Sequence, residues 1–175
     1  MLARMIELMR GVAEKVDVVA APGRYGEFAA ENVEDRWPGE GPLGGIVTAL
    51  LHTRDHAPPS VWNLIVSCDM PFLTCEWLAY LVERAVKSEA QVVLAHSANG
   101  PEPLCACWRT DSLTTLEDAF ERGVRKVTQG ISLLRAEVLD EADWKRFDSA
   151  GRLFWNMNTA ADYEEARRMV EAEQA

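Results

Sequence analysis

The sequence predicts a three-layer α/β fold with a mostly parallel sheet. Short apolar runs alternate with amphipathic segments along the chain, and this alternation is typical of that architecture. Residues 61–66 form a short run rich in β-branched side chains, which favours a buried parallel strand. With 175 residues and 48% hydrophobic side chains, the chain can build one ordinary core, so we expect a single domain spanning residues 1–175.

Individual helices and strands are predicted from the spacing of apolar residues and from the glycines and prolines that end them. Apolar residues recur at helical spacing in residues 2–12, and Pro22-Gly23 ends the strand that follows. Thr159 and Asp162 form a capping box at the start of the last helix. The predicted strands are 16–21, 32–37, 61–67, 91–96, 103–109 and 133–139. The predicted helices are 2–12, 41–54, 74–87, 111–121, 125–131 and 159–173.

The chain begins inside a helix. A doubly wound fold normally opens with a strand and a glycine-rich turn that holds a phosphate. That first strand is usually central, so its neighbours would be left with unpaired backbone groups. We therefore expect either that the biological protein extends upstream of Met1 or that another element fills the gap.

Composition restricts the class of partner. A formal net charge of −10 argues against nucleic acid, whose phosphates would be repelled. No apolar run approaches membrane length, so we predict a cytoplasmic protein without a membrane partner. Cys105 and Cys107 share one face of a strand, where cysteine is usually a small buried hydrophobe.

Asp69 is the first candidate site residue. It follows the 61–67 strand and precedes Pro71, and ligands of open α/β sheets bind at the carboxyl ends of strands. A carboxylate there suits Mg²⁺, which takes a few oxygen ligands and completes its shell with water and phosphate. The alternative is that Asp69 only contributes to the start of the helix near Thr74.

The second candidate site is a glycine-rich segment, Gly39-Glu40-Gly41-Pro42-Leu43-Gly44-Gly45. Gly-Pro at a first helical turn presents free backbone N–H groups to an anion or to the edge of a base. Gly44 and Gly45 suggest a close backbone approach by a ligand or by the sheet. The alternative is ordinary punctuation between a loop and a helix.

The third candidate site consists of two side-chain amides. Asn156 and Asn158 lie two residues apart in an extended segment, so both can face one ligand. Alternatively, Asn158 and Thr159 compete to cap the last helix.

Together these segments resemble the molybdenum cofactor guanylyltransferase family. The matching motifs span most of the chain and are G-P-L-G-G-I at 41–46, C-D-M-P-F-L at 68–73, P-L-C-A at 103–106, G-V-R-K at 123–126 and N-M-N-T at 156–159. The resemblance implies a Rossmann-like nucleotidyltransferase fold without its first strand. It also implies transfer of GMP from GTP to molybdopterin, with Mg²⁺ as cofactor and release of pyrophosphate.

The resemblance assigns roles to individual residues. Asp69 would be the Mg²⁺ ligand, and Asp35 would bind guanine, whose ring N–H and amine a carboxylate can accept. Gly41, Pro42 and Leu43 would line the base. Asn156 and Asn158 would approach the phosphates and the metal. Arg125 and Lys126 would attract the pterin phosphate, unless they belong only to a solvated helix face.

The family's opening motif, a glycine-rich loop with an arginine and a later lysine that hold the triphosphate, is absent. The chain alone is therefore expected to bind nucleotide poorly. Two alternatives stay open: a related nucleotidyltransferase that uses CTP or another phosphorylated acceptor, and a shortened, non-catalytic relative that binds a partner. Proteins of molybdenum cofactor biosynthesis or molybdoenzymes are the partners that the resemblance implies.

Overall fold

The computed structural model describes residues 1–24, 31–56, 60–148 and 150–173. The strands are β1 (Asp17–Ala20), β2 (Glu31–Glu34), β3 (Trp62–Val66), β4 (Val92–Ser97), β5 (Gly100–Arg109) and β6 (Ala136–Leu139). The helices are α1 (Leu2–Arg10), α2 (Pro42–Arg54), α3 (Cys75–Lys87), α4 (Leu113–Glu121), α5 (Val127–Ile131), α6 (Glu141–Trp144) and α7 (Ala160–Glu173). Short 3₁₀ turns cover Thr110–Ser112 and Lys145–Phe147.

Every predicted helix and strand is present, with ends that shift by a few residues. Helix α6 was not predicted, because four residues are too few to show a helical period. Its start is fixed by Asp140, whose side chain accepts a hydrogen bond from the Ala142 N–H while Asp143 bonds back to the Asp140 N–H. The predicted capping box of Thr159 and Asp162 is confirmed by hydrogen bonds in both directions.

The α/β class is confirmed, and the sheet is mixed. Strands β1 and β2 form a parallel pair, and the other four strands form a sheet in the order β3-β5-β4-β6. Strand β5 is antiparallel to both of its neighbours, while β4 and β6 are parallel. The reversal occurs because β4 and β5 are joined by a tight turn, in which Gly100 has a φ of +111°.

Helices cover both faces of the four-stranded sheet. Along β5, Cys105 and Cys107 belong to one core cluster, whereas Ala106 and Trp108 belong to the other. Since neighbouring residues of a strand point to opposite faces, the two clusters lie on opposite sides. Helices α1 and α3 pack on the first side, and α2, α4 and α5 on the second, which gives the predicted three layers.

Cys105 and Cys107, which lie two residues apart on β5, are core residues, as predicted. Cys105 is fully buried, and its sulfur accepts a hydrogen bond of 3.4 Å from the Trp77 ring N–H. Burial raises the pKa of Cys105 to about 12 and raises the pKa of Cys107 further. Both thiols therefore stay protonated at neutral pH and behave as apolar groups.

A gap separates the two sheets. Strands β1 and β3 both line a cavity of about 950 Å³, and within the described ranges no strand lies between them. Among the same residues, no helix is long and apolar enough to cross a membrane.

Candidate functional site

Asp69 lies just beyond the carboxyl end of β3, as the sequence predicts. Its residue is half-buried, and its Oδ1 atom is buried without a hydrogen-bond partner among the described residues. The helix that follows is capped by Thr74, whose hydroxyl accepts from the Trp77 N–H at 3.2 Å. The Asp69 side chain is therefore not the cap of α3. A buried carboxylate oxygen without a donor is costly unless a ligand completes it.

The segment that carries the two asparagines lies directly beside Asp69. The Met157 N–H donates to the Asp69 carbonyl at 2.9 Å, which joins the segment to the strand end. Asn156 and Asn158 flank this contact, and both are exposed. The cap of α7 is Thr159, whose hydroxyl accepts from the Asp162 N–H at 3.1 Å. The Asn158 side chain is thus not occupied as the helix cap.

Asp35 follows β2 and is held by two donors on one oxygen. Its Oδ1 accepts from the Trp37 N–H and from the Thr48 hydroxyl, each at 3.1 Å. Its own N–H donates to the Ala20 carbonyl at 2.8 Å. These bonds fix the carboxylate and leave Oδ2 as the oxygen that can accept from a ligand.

Helix α2 begins at the predicted place. Gly41 is its N-cap with a φ of +91°, a conformation that strongly favours glycine, and Pro42 occupies the first helical position. No side chain among the described residues caps the helix. Pro42 has no N–H, and the Gly44 N–H donates to the Gly41 carbonyl at 3.2 Å, so the Leu43 N–H is the first-turn donor that can meet a ligand. Leu43 differs from expectation: its side chain is completely buried in the core, so only its backbone can reach a base.

Gly44 and Gly45 have different surroundings. A methyl group at Gly44 would lie 3.4 Å from both Trp37 and Phe120, so helix α2 packs closely there. At Gly45 it would meet nothing within 4 Å, because that residue faces the cavity between β1 and β3. The close approach at Gly44 is thus to the side chains of Trp37 and Phe120 and not to the sheet, so the sheet contact predicted there is wrong, and approach by a ligand stays a prediction.

Arg125 and Lys126 do not form one cationic pair. The Arg125 guanidinium donates to Glu40 at 2.6 Å and to the Phe120 carbonyl at 2.6 Å, and it stacks over the Phe120 ring at 4.0 Å. It therefore fixes the turn that precedes α2 and is engaged within the protein. Lys126 is exposed at the start of α5, so it remains the cation that can meet an anionic ligand.

Sequence reasoning missed Thr48 and Glu40. Thr48 is 1% exposed; its hydroxyl donates to Asp35 and accepts from the Arg36 N–H. A polar residue on the apolar side of a helix is the signal that pointed to it. Glu40 pairs with a residue 85 positions away, which no local pattern reveals.

The arrangement fits a hard cation and an anionic ligand. Asp69 offers a carboxylate oxygen without a partner, the ligand type that Mg²⁺ prefers. The N-terminus of α2 offers the Leu43 N–H and the positive end of a helix dipole. Asp35 offers a fixed acceptor for the N–H edge of a base.

Comparison with known proteins shows the family of the chain. The family model described as the MobA-like NTP transferase domain matches residues 1–138. The chain belongs to this nucleotidyltransferase family.

Two proteins similar to this chain are named for the molybdenum cofactor or for molybdopterin-guanine dinucleotide. The chain is 30% identical over 153 residues to a molybdenum cofactor guanylyltransferase of Nitrobacter hamburgensis, covering 85% of this chain and 70% of that protein. Molybdopterin-guanine dinucleotide biosynthesis protein A of Archaeoglobus fulgidus superposes with a TM-score of 0.71 and 26% identity, over 83% and 70% of the two chains.

A more distant structure shares the fold of this MobA-like chain. The 2-C-methyl-D-erythritol 4-phosphate cytidylyltransferase of Thermus thermophilus has a TM-score of 0.68 at 15% identity, over 97% of this chain and 88% of that one. At this identity the likeness concerns the fold alone. The Rossmann-like nucleotidyltransferase fold is therefore confirmed.

Proposed function

We propose that this MobA-like fold serves the transfer of GMP from GTP to molybdopterin, forming molybdopterin guanine dinucleotide and pyrophosphate, and that turnover requires a glycine-rich loop of the kind in the family's opening motif in addition to the residues of this chain. The observation that carries the proposal is the buried, unpartnered Oδ1 of Asp69 beside the segment that holds Asn156 and Asn158. Relatives named molybdenum cofactor guanylyltransferase support the choice of substrates. We further infer a cytoplasmic enzyme without a nucleic-acid or membrane partner, in keeping with the net charge of −10.

The reaction needs no nucleophile from the protein. An oxygen of the pterin's terminal phosphate attacks the α-phosphorus of GTP, the bond to the β-phosphate breaks, and pyrophosphate leaves. The protein then has to align the two phosphates and to offset their charge. In the proposal, the exposed amides of Asn156 and Asn158 donate to phosphate oxygens, and Lys126 attracts the pterin phosphate.

Asp69 is the residue that would hold Mg²⁺, through the oxygen without a partner. When bound, this ion neutralises phosphate charge and helps to orient the leaving group. Arg125 is given a structural role in this account, because Glu40 and the Phe120 carbonyl engage its Nε and Nη1 atoms. It acts as a positioning residue for the turn at Gly41.

Base selection is assigned to Asp35 and the backbone of the Gly41 turn. The free Oδ2 of Asp35 can accept from guanine, whose Watson–Crick edge has two adjacent donors. The enzymatic alternative is a transferase that uses CTP, and the non-catalytic alternative is a relative that binds a protein partner.

Competition binding decides between these functions. GTP, CTP and ATP are titrated against the chain in the presence of Mg²⁺, and we expect GTP to bind most tightly. Asp35→Asn should reduce the preference for GTP about 5- to 150-fold, since a paired base contact contributes roughly 1–3 kcal/mol of discrimination. Asp111→Asn, at an exposed position, is the control. A preference for CTP would favour the first alternative, and no nucleotide binding even by a version extended with a strand and a glycine-rich loop would favour the second.

A further inference from the structure

A cluster of imidazole and carboxylate groups lies at the end of β1, β2 and α2 that is remote from the candidate site. Asp17 and Glu31 are the first residues of β1 and β2, and they are partners in the register of these parallel strands. Side chains paired in this way project from the same face of a sheet. His52 and His56 lie in and just after the last turn of α2, which packs against both strands. We call these four side chains the His/carboxylate cluster.

The possible ligand atoms of the cluster converge. One atom each from Glu31, His52 and His56 lie within 4.8 Å of one another. Asp17 adds a fourth, since its Oδ2 lies 3.4 Å from His52 Nε2. The two imidazole rings are in edge contact, with centroids 4.2 Å apart. In a tetrahedral zinc site the ligand atoms are roughly 3.3–3.6 Å apart, so these atoms need to move by only about 1 Å to complete one.

His56 directs a lone pair at the cluster. Its Nδ1 lies 2.7 Å from the His52 carbonyl oxygen, which can only accept, so Nδ1 carries the proton. Its Nε2 lies 3.3 Å from the ammonium of Lys15, which can only donate, so Nε2 is the acceptor. Metal-bound histidines usually donate their second ring N–H to a carbonyl or a carboxylate in this way. Capping the end of α2 uses Nδ1 alone, so Nε2 is left for a cation.

His52 and Asp17 each contain a buried polar atom without a hydrogen-bond partner. The Nε2 atom of His52 and the Oδ1 atom of Asp17 are both buried, and neither is hydrogen-bonded within the described ranges. Although His52 Nε2 lies 3.4 Å from Asp17 Oδ2, the contact does not have the geometry of a hydrogen bond. Buried polar atoms are costly without a partner, and an imidazole nitrogen and a carboxylate oxygen are both metal ligands.

The ammonium of Lys15 marks a cation position in the cluster. It lies 2.9 Å from Glu31 Oε2, 3.3 Å from Asp17 Oδ2 and 3.3 Å from His56 Nε2. The Lys15 residue is exposed, so its long side chain can turn out into solvent. An ammonium interacts only as a hydrogen-bond donor, whereas a divalent ion can coordinate both imidazoles as well as the carboxylates. A divalent ion can therefore take the place of this ammonium.

The ligand types select the class of ion. Imidazole nitrogens combined with carboxylates suit Zn²⁺ and similar transition-metal ions, whereas Mg²⁺ and Ca²⁺ prefer oxygen ligands. The cluster is also distinct from the candidate site. Helix α2 has 13 residues and is roughly 20 Å long, and the Gly41 turn lies at its opposite end.

We propose that the His/carboxylate cluster binds one ion of the Zn²⁺ class and that this ion displaces the ammonium of Lys15. The Nε2 atoms of the two histidines and an oxygen of Glu31 are three of the ligands, and Asp17 supplies the fourth. Because β1, β2 and α2 each contribute a ligand, the ion joins the three elements and stabilises their packing. The inference does not depend on the proposed guanylyl transfer.

Calorimetric titration of the 175-residue chain with Zn²⁺ tests the inference. Excess Mg²⁺ is present in every sample, so that sites made of oxygen ligands alone are filled. We expect one Zn²⁺ ion to bind per chain. We also expect the melting temperature to rise with Zn²⁺ concentration and to return to its first value when a chelator is added.

The chain offers a matched control, since it has three histidines. His52→Gln and His56→Gln should each weaken Zn²⁺ binding at least about tenfold, a loss that even the outer partners of metal ligands produce. His96→Gln, at an exposed position of β4, should leave the affinity unchanged. Lys15→Met should strengthen binding about two- to fivefold, because the ammonium no longer competes for the same atoms.

The outcomes that would overturn the inference are specific. Absence of Zn²⁺ binding, or binding that is equally tight in the His56→Gln and His96→Gln proteins, would show that the cluster is not a metal site. Unchanged or weaker binding by Lys15→Met would overturn the displacement of the ammonium. Melting curves without Zn²⁺ show whether each variant is folded. If the half-buried His52→Gln protein does not fold, the exposed His56 position decides the result.

Discussion

The Met157 N–H donates a 2.9 Å hydrogen bond to the carbonyl oxygen of Asp69. This bond joins the loop before α7 to the end of β3, across 88 residues of sequence. It brings the exposed amides of Asn156 and Asn158 to the edge where the Asp69 carboxylate has a buried oxygen without a partner. The candidate site thus depends on a backbone contact that any residue at position 157 except proline could make.

Replacing Asp69 tests the metal assignment. Asp69→Ala should abolish the Mg²⁺-dependent part of GTP binding, because the ligand oxygen is lost. The fold should be retained, since the residue lies outside the apolar core. Calorimetric titration of GTP with and without Mg²⁺ measures this effect. Asp118→Ala, at an exposed position of α4, should leave it unchanged. Equal Mg²⁺ dependence in the Asp69 variant would refute the assignment.

Variants of the neighbouring residues Asn158 and Thr159 test which of the two belongs to the candidate site and which caps α7. Thr159→Ala removes the hydroxyl that accepts from the Asp162 N–H and should cost about 1 kcal/mol of stability. Asn158→Ala should leave the melting temperature nearly unchanged and lower turnover of a version of the protein extended at Met1 by a strand and a glycine-rich loop. Melting curves and rates on both proteins decide the matter. A loss of stability without a loss of rate at Asn158 would make it a structural residue.

Arg125 and Lys126 should have different roles. Arg125→Lys loses the bonds to Glu40 and the Phe120 carbonyl, so it should lower stability and weaken GTP binding through the Gly41 turn. Lys126→Ala should preserve stability and weaken only the affinity for molybdopterin. Titrations with each substrate distinguish these effects. Identical behaviour of the two variants would contradict the separation.

Glu102 predicts a pH dependence of stability. The residue is 7% exposed, and burial raises the pKa of its carboxyl although Ser97 donates to it at 2.6 Å. Because the pKa is higher in the folded protein, protonation of Glu102 stabilises the folded state. This stabilisation is fully present below the pKa of the unfolded chain, near 4.5, and is lost as the pH rises through the pKa of the folded protein. Glu102→Gln keeps an acceptor for Ser97 and should be more stable than the parent at pH 7.

Urea unfolding between pH 4 and pH 7 measures this difference, which should shrink towards pH 4. Glu83→Gln is the matched control on the surface. Its ion pair with Lys87 lowers the pKa of Glu83, so that variant should change stability in the opposite direction, if at all. A gain at Glu102 that is independent of pH would contradict burial of the charged carboxylate as its cause.

The sequence predicted those features that depend on neighbouring residues. The run 61–66 and the following Asp-Met-Pro placed Asp69 at a strand end, and Gly41-Pro42 placed the start of α2. Features that depend on distant contacts were not predictable. Leu43 is buried because α2 shares a core cluster with α4 and α5, and Arg125 is engaged because Glu40 and Phe120 reach it. The direction of β5 depends on its pairing with two strands, which a single segment does not specify.

Guanylyl transfer itself is the most direct test of the account. Pyrophosphate release from GTP is followed in the presence of molybdopterin and Mg²⁺, with the 175-residue chain and with a version extended by a strand and a glycine-rich loop. We predict negligible release by the 175-residue chain and molybdopterin-dependent release by the extended version. Robust turnover by the unextended chain, or none by a folded, GTP-binding extended protein, would contradict the account.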